Sequence, residues 1–277
     1  MRGYFIENLL TSFGLDVDGL RVFLPQAKVR SYESGETLLV RGSSDVALLF
    51  VATGLVLATV DTNRDKNSNT PVMAVAEGMW VGAKCVMAGK PADFSYVAAS
   101  EVSVIEFSSH MVRSMMAASG AFREFVTQLC VEEASRYAQV LIPMKAGGPV
   151  YRVICGLALL AETFERGMKW HQRSLVSLND PTLGVMVALP QGTLAALCGV
   201  SRSILSPVLK PLKQKGWVDV AYGRTLICHP ESWARLAEKI RHSPSIHADM
   251  TSDWAPAELA RLGVATQTPG RAVHEPT

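Results

Sequence analysis

Basic side chains that could bind a polyanion are concentrated in one segment of this chain. Residues 189–241 hold eight lysines and arginines against three aspartates and glutamates, a net charge of +5, whereas residues 1–188 carry a net charge of −1. Lysine binds phosphate as a point charge, and arginine also offers paired donors that match the edge of a guanine. The charge pattern therefore indicates a polyanionic partner for this segment, such as nucleic acid.

Residues 191–213 match the packing pattern of a helix-turn-helix at seven positions. A small residue stands where two helices cross, a glycine stands where the tight turn needs left-handed backbone, and apolar residues stand where the helices bury their contact. The seven positions are Ala195, Gly199, Leu194, Cys198, Val200, Leu205 and Val208. Ser201 is the predicted N-cap of the second helix. Residues 216–227 are typical of a strand, a turn and a second strand, which together predict a wing.

The rest of the chain divides into a β region and a helical region. Between residues 29 and 107, short apolar strands recur every 8–12 residues with glycine turns, which predicts a small antiparallel sandwich or barrel. A helix is expected over 119–141, with an apolar seam that Glu132 and Glu133 interrupt. A second apolar helix is expected over 150–165, and a short strand over 186–189.

This order of parts resembles the Crp/Fnr family of transcription regulators, over roughly residues 20–235. The residues that carry the resemblance are Ser34-Gly35-Glu36, Arg41-Gly42, Phe50-Val51, Gly54, Gly78 and Gly82, then Leu197-Cys-Gly-Val-Ser-Arg202, Leu209-Lys-Pro-Leu212 and Gly216-Trp217. It implies an α+β fold with three parts. These are an N-terminal helix and antiparallel, jelly-roll-like β-roll over 1–118, a dimerisation helix over 119–147, and a winged helix-turn-helix domain over 148–241. The excess of Ser, Pro, Thr and His beyond Arg241 predicts a flexible tail over 242–277, apart from a turn of helix at Pro256–Leu262.

The resemblance also implies partners and contacts. The partners would be double-stranded DNA, a second copy of the chain paired along 119–141, and RNA polymerase. The second helix would lie in a major groove, where Arg202 matches the arginine that reads bases in the family and could bond guanine O6 and N7. Ser203 and Ser206 face the same side, and lysines would contact phosphates. The expected DNA-binding residues are Gln191, Ser201, Arg202, Ser203, Ser206, Lys210, Lys213 and Arg224, with Lys215 as a further phosphate contact.

Two residues depart from the family pattern in the second helix. Ser203 stands where the family commonly has an acidic base-reading residue, and Pro207 stands where it commonly has another arginine. Because Pro207 and Pro211 each remove a backbone hydrogen bond, we expect this helix to be kinked or to begin later than residue 202. The family's usual operator therefore cannot be assumed for this chain.

The loop that holds a cyclic nucleotide in some members of the family is also altered. The family's ribose-binding glutamate is replaced by Ala83, and its phosphate-binding arginine falls on Ala92 or Asp93. An aspartate repels a phosphate, so we do not expect cyclic AMP to bind in the familiar way. The candidate effector-binding residues that remain are Gly82, Ala83, Lys84 and Ser95. The sequence leaves the effector open, including the case in which there is none.

Other classes of function find less support in the sequence. Five scattered cysteines fit neither a disulfide framework nor a metal site, and an N-terminal iron–sulfur cluster lacks ligands because no cysteine precedes Cys85. The longest uncharged apolar stretch has 15 residues, shorter than a membrane span, and we expect a cytoplasmic protein. No catalytic constellation stands out, so an enzyme is the least favoured class. A winged helix that binds a protein partner stays open as the alternative.

Overall fold

The computed structural model describes residues 2–61, 69–173, 185–187, 189–221, 223–242, 250–251 and 253–262. The helices are α1 (Arg2–Ser12), α2 (Ala83–Ala88), α3 (Ser109–Ala118), α4 (Gly120–Ala146), α5 (Pro149–Arg173), α6 (Gln191–Leu197), α7 (Arg202–Gln214), α8 (Pro230–His242) and α9 (Trp254–Leu262). The strands are β1 (Lys28–Tyr32), β2 (Thr37–Leu39), β3 (Ala47–Thr53), β4 (Leu55–Asp61), β5 (Asn69–Ala76), β6 (Trp80–Val81), β7 (Ser95–Ala98), β8 (Val102–Ser108), β9 (Val185–Val187), β10 (Val218–Ala221) and β11 (Arg224–Ile227).

The N-terminal half is a β-roll made of two four-stranded antiparallel sheets. Their strand orders are β1-β8-β3-β6 and β2-β7-β4-β5. The β3 and β4 strands are apolar and largely buried, because each has a neighbouring strand on both sides and packs into the core. Gly54 joins them with φ +87°, and a Cβ there would overlap the carbonyl oxygen of Glu101. The expected α+β fold with an antiparallel roll is confirmed.

Helix α4 packs one face against the roll of its own chain. Ser119 caps it by accepting a hydrogen bond from the backbone N–H of Phe122 at 3.2 Å. The predicted apolar seam, which includes Phe122, Val126 and Leu129, is buried on this contact. Glu133 does not interrupt the seam, since it is itself buried with a relative exposure of 2%. The seam seen in the sequence is therefore the intramolecular face of the helix, and a different face points outward.

The helical half is built around α5, which packs on α8 and contacts α4 and α7. Helix α5 extends beyond the expected 150–165, since it spans Pro149–Arg173, and the expected strand near 186–189 is β9. Trp233 of α8 is fully buried, and its indole Nε1 lies 3.4 Å from the carbonyl oxygen of Trp217. This contact fixes α8 beneath the wing.

The segment expected to be a flexible tail contains a packed helix. Helix α9 buries Ala255, Pro256 and Leu259, and it contacts α8. Glu258 of α9 accepts a hydrogen bond from Lys239 of α8 at 2.6 Å. A turn of helix was expected at Pro256–Leu262, and the structure has α9 there, longer than a single turn and packed by its apolar face. Residues 243–249, 252 and 263–277 lie outside the described chain.

None of the described helices alone has the length and apolar character needed to cross a bilayer, and only the bent pair α6–α7 meets both requirements when taken together.

Candidate functional site

Helices α6 and α7 form the predicted helix-turn-helix. Their axes differ by 95°, and the turn between them places Gly199 at φ +63°. Leu194, Cys198 and Leu205 are buried between the helices. Burial raises the pKa of the Cys198 thiol to about 12, so it acts here as an apolar packing residue. The local fold that the seven-position pattern predicts is thus present.

Helix α7 begins at Arg202 and continues through both prolines to Gln214. The expectation that it begins later is wrong. Ser201 occupies the N-cap position with extended backbone, and its carbonyl oxygen accepts from the N–H of Leu205 at 3.0 Å. Its hydroxyl lies 2.7 Å from the hydroxyl of Ser203 and does not cap the helix. Pro207 and Pro211 are accommodated at the cost of one backbone donor each.

The outward face of α7 brings four of the predicted residues together. Arg202, Ser203, Ser206 and Lys210 are all exposed on this helix, and the helix sequence contains no acidic residue. In the part of the chain that the structure describes, Arg202 and Lys210 make no ion pair. An anion that approaches this face can therefore contact an arginine at the start of the helix and a lysine two turns later.

Lys213 differs from Lys210 because it is held within the protein. Its Nζ lies 3.0 Å from Asp219 Oδ1 and 3.0 Å from the carbonyl oxygen of Val220, both on β10. The hydrogen bond from Lys213 lowers the pKa of Asp219, and its charge and that of Arg224 act in the same direction. Lys213 thus fastens α7 to the wing, which weakens its prediction as a free phosphate contact.

The wing is a three-stranded antiparallel sheet with the order β10-β11-β9. Arg224 opens β11, is exposed, and lies opposite Ala221 in the register. Gly223 precedes it at φ +71°, which suits a tight hairpin turn. Lys215 is also exposed, just after α7. The wing therefore presents Arg224 at its tip.

A neighbour of Arg202 was not predicted from the sequence. Gly192, in the first turn of α6, lies directly against the Arg202 guanidinium, because a Cβ at position 192 would come within 2.7 Å of Arg202 Nε. Gln191 precedes it as the exposed first residue of α6. The sequence around Gly192 does not indicate that this residue makes room for Arg202, because the two positions meet only where α6 and α7 cross.

The predicted effector loop folds into α2 and is tied to α4. Gly82 precedes α2 with φ +88°, Ala83 is buried, and Ser95 accepts a hydrogen bond from the backbone N–H of Arg41 at 3.0 Å. Lys84 forms an ion pair with Asp93. Burial alone would lower the pKa of Lys84, but the hydrogen bond and charge of Asp93 outweigh it and raise that pKa.

A buried glutamate of α4 completes this arrangement. Glu133 Oε2 accepts the backbone N–H of Lys84 at 3.2 Å, and Glu133 Oε1 accepts the hydroxyl of Tyr137 at 2.5 Å. The Nζ of Lys84 lies 5.0 Å from the centre of the Tyr137 ring. We call Lys84, Asp93, Glu133 and Tyr137 the loop–helix network. Burial raises the pKa of Tyr137, and the nearby Tyr96 and Glu133 raise it further.

The loop–helix network has consequences for an anionic ligand. Asp93 is one of the two positions, with Ala92, that correspond to the family's phosphate-binding arginine, and Glu133 is buried against the same loop. Like charges repel, so these carboxylates make the loop less favourable for a cyclic phosphate. The sequence did indicate that Glu133 is unusual, because an acidic residue inside an apolar seam needs a hydrogen-bond partner when it is buried.

Among the residues that the structure describes, no group of three or more histidine, cysteine, aspartate or glutamate side chains is placed to hold a metal ion.

Several solved structures share this architecture. A protein of Ruegeria pomeroyi DSS-3 whose proposed role is cyclic-nucleotide binding is 22% identical, with 86% of this chain and 97% of that chain covered and a TM-score of 0.53. FixK2 from Bradyrhizobium japonicum is 13% identical, with 76% and 96% covered and a TM-score of 0.54. TTHA1359, a transcriptional regulator of the CRP/FNR family from Thermus thermophilus, is 19% identical, with 76% and 98% covered and a TM-score of 0.51.

These similarities show that the chain has the fold of Crp/Fnr-type regulators, as its sequence resemblance implied. No protein-family model and no curated protein sequence matches the chain.

Proposed function

We propose that this protein is a sequence-specific DNA-binding transcription regulator that acts as a cytoplasmic homodimer. The observation that carries the proposal is the outward face of α7, where Arg202, Ser203, Ser206 and Lys210 are exposed and no acidic residue occurs. A helix of this width fits a major groove, and its polar and basic side chains match base edges and phosphates. The shared fold with a CRP/FNR transcriptional regulator supports the same function.

The basic residues take different roles in this proposal. Arg202 reads a guanine edge from the first turn of α7, and Gly192 leaves room for its guanidinium. Lys210 and Lys215 contact phosphates on one side of the groove, and Arg224 contacts the backbone from the wing. Lys213 stabilises the contact between α7 and the wing through its ion pair with Asp219.

The outward face of α4 supports a homodimer. Val131, Leu141 and Ile142 have relative exposures of 54%, 56% and 56%, and the exposed Ala134 and Ala138 lie between them at helical spacing. Large apolar side chains at successive turns of one helix form a seam that a second helix can cover. Glu133 is buried and bonded to Lys84, so it places no charge in this outward seam.

The same structure supports a regulator that does not respond to cyclic AMP in the usual way. Ala83 and Ala92 are buried and lack the side chains that would hold ribose and phosphate. The loop–helix network already joins α2 to α4 through Glu133. The hydrogen bond from the Lys84 backbone to Glu133 already uses one donor of the loop that would face a nucleotide.

The experiment that tests the function is selection from genomic DNA. Purified full-length protein is mixed with fragmented genomic DNA, with and without cyclic AMP, and the retained fragments are sequenced. We expect an enriched two-fold symmetric site that is the same in both samples, because a dimer reads two half-sites. A site enriched only with cyclic AMP would contradict the second part of the proposal.

A second candidate function is a winged helix that binds a protein partner. Pro207 favours it, because this proline lies on the exposed face of α7, leaves the carbonyl of Ser203 without its helical donor and offers no base-reading group. Salt separates the two functions, since DNA binding weakens steeply and linearly with the logarithm of salt concentration. Absence of any enriched fragment, together with weak salt dependence of partner binding, would favour this alternative.

A further inference from the structure

The connection between α4 and α5 lies next to the turn of the helix-turn-helix. Only Gly147 and Gly148 separate the last residue of α4 from the first residue of α5. Gly147 has no space for a side chain, because a Cβ there would overlap the ring of Tyr151. A connection this short and this closely packed limits the angles that the two helices can adopt. We call residues 144–152 the α4–α5 elbow.

Arg152 joins this elbow to the helix-turn-helix. Its Nε donates a hydrogen bond to the carbonyl oxygen of Gly147 at 3.0 Å, and its Nη1 donates to the carbonyl oxygen of Gly199 at 3.4 Å. Gly147 ends the long helix α4, and Gly199 is the left-handed residue of the turn before α7. A single guanidinium therefore bonds both the end of α4 and the turn that leads into the proposed DNA-reading helix.

Both acceptors of Arg152 lie at the C-terminal ends of helices. Gly147 is the C-cap of α4, and Gly199 directly follows Cys198, the C-cap of α6. Carbonyl groups at such an end lack a partner within the helix and carry partial negative charge, which favours a cation. Because a guanidinium presents its donors in a rigid fork, one arginine can bond two carbonyls in one fixed geometry. Arg152 thus holds the end of α4 in place relative to the end of α6.

Two close packing contacts support the same connection. Met144 of α4 lies against the turn, since a Cβ at Gly199 would come within 3.2 Å of Met144 Cε. Gly156 of α5 lies against Cys198, because a Cβ at position 156 would come within 2.5 Å of the Cys198 sulfur. The turn is therefore in contact with both helices of the elbow, and closely packed groups of this kind transmit small displacements.

This connection bears on the geometry of the proposed homodimer, in which two copies of α4 pack together about a two-fold axis. The place of each α7 relative to that axis depends on how the helix-turn-helix is held on its own α4. In a two-fold dimer the separation of the reading helices sets the spacing of the half-sites. One base pair moves a half-site by about 3.4 Å along the duplex and about 35° around it, since a helical turn has about 10–10.5 base pairs. A small change at the elbow should therefore alter the spacing that the dimer accepts.

We propose that Arg152 is a positioning residue that sets the spacing of the operator half-sites. The inference rests on the proposed function of a DNA-binding homodimer. Arg152 does not contact DNA in it, and acts through its hydrogen bonds to Gly147 and Gly199 on the orientation of α7 relative to α4.

The test measures affinity against half-site spacing with the full-length protein. The symmetric site selected from genomic DNA is compared with versions whose spacer is one or two base pairs shorter or longer. We expect the wild type to prefer one spacing by about tenfold or more over its neighbours. Arg152→Gln should reduce that preference to about twofold, because the helix-turn-helix is then held less firmly on α4.

A matched control is available on another helix. Arg235 of α8 is exposed, and its Nη1 donates a hydrogen bond to the carbonyl oxygen of Leu262 at the end of α9 at 3.0 Å. Arg235→Gln therefore removes the same kind of hydrogen bond from a helix end outside the elbow. It should leave the preferred spacing and the size of the preference unchanged.

A second variant keeps the test decisive if Arg152→Gln does not fold. Arg152→Lys retains the charge but loses the forked donors, so its preference should fall between those of the wild type and Arg152→Gln. A role in stability alone would weaken binding at every spacing by the same factor, because it changes only the fraction of folded protein. Such equal weakening, down to loss of detectable binding, or a wild-type preference in both variants would overturn the inference. Selection that enriches no symmetric site would instead contradict the proposed function on which the inference rests.

Discussion

The guanidinium of Arg202 occupies the space in which a side chain at Gly192 would begin. A Cβ built on Gly192 would lie 2.8 Å from Arg202 Cζ, well inside van der Waals contact. The start of α7 therefore packs against the first turn of α6. The orientation of the Arg202 side chain depends on the absence of a side chain at position 192. This relationship ties the base-reading proposal to a residue that would make no base contact itself.

Replacement of Arg202 tests the base contact. We expect Arg202→Ala to cost about 1–3 kcal/mol of operator binding and to relax specificity at one base pair, because paired hydrogen bonds to guanine are lost. Binding of the variant to a set of operators with single substitutions measures both effects. Unchanged operator affinity would show that α7 is not placed as proposed.

Replacement of Gly192 tests the positioning of Arg202. Gly192→Ala should leave folding stability equal or higher, since alanine favours a helix, but should reduce operator affinity by about 1 kcal/mol, roughly fivefold, because the guanidinium must move. Thermal unfolding and operator titration measure the two effects separately. Gly120→Ala is the control, because a Cβ at this helical glycine meets nothing within 4 Å. Wild-type operator affinity in Gly192→Ala would contradict the role assigned to Gly192.

Two lysines of α7 should differ in their effect on salt dependence. Lys210→Ala should weaken binding to all sequences alike and reduce the slope of log affinity against log salt by about 1, because a phosphate contact is lost. Lys213→Ala should change the slope less, since Lys213 is paired with Asp219 and Val220 on the wing. Fluorescence titrations at several salt concentrations give both slopes. Equal slopes for the two variants would refute the distinction.

The exposed seam of α4 predicts how the proposed dimer can be broken. Leu141→Asp should convert the dimer to a monomer, because it places a charge in an apolar helix contact. Sedimentation velocity over a range of protein concentrations measures the change. Val22→Asp is the control, since Val22 is 72% exposed but lies outside α4. A Leu141→Asp variant that dimerises as tightly as the wild type would exclude this seam.

The packing of α9 on α8 should depend on pH. Hydrogen bonds from Arg261 and Lys239 lower the pKa of Glu258 below its usual 4.5. Because the folded-state pKa is the lower one, Glu258 contributes stability above the usual carboxyl pKa, and this contribution is lost as the pH falls through the lowered value. The difference in unfolding free energy between wild type and Glu258→Gln should therefore be present near neutral pH and shrink in acid. Urea unfolding across that range measures it, and a difference independent of pH would contradict the prediction.

The helix-turn-helix could be predicted from the sequence because its determinants are local. Gly199 must adopt left-handed backbone, and Leu194 and Leu205 must be apolar, whatever surrounds them. The wing follows for the same reason, since Gly223 permits a tight hairpin between two short apolar strands. The late start expected for α7 was a local argument too, and it is wrong, because the helix begins at Arg202 and buries Leu205, Val208 and Leu212. The kink expected at the prolines stays a prediction.

The role of α4 could not be predicted in the same way, because periodicity shows that a helix has an apolar face and does not show what covers it. The seam through Phe122, Val126 and Leu129 meets the roll of the same chain, and Glu133 is stabilised there by Lys84 and Tyr137. Which side chains meet across such long separations depends on how the elements pack.

The sequence by itself determined the α+β class, the order of roll, long helix and winged helix, and the basic side chains of α7, since each depends on residue type and short-range spacing. Only the tertiary structure decided that Gly192 makes room for Arg202, that Lys213 is held by Val220 of the wing, and that Arg136 of α4 bonds the carbonyl oxygen of Trp80. These relationships join residues 7 to 56 positions apart, and the packing of separate elements alone brings them together.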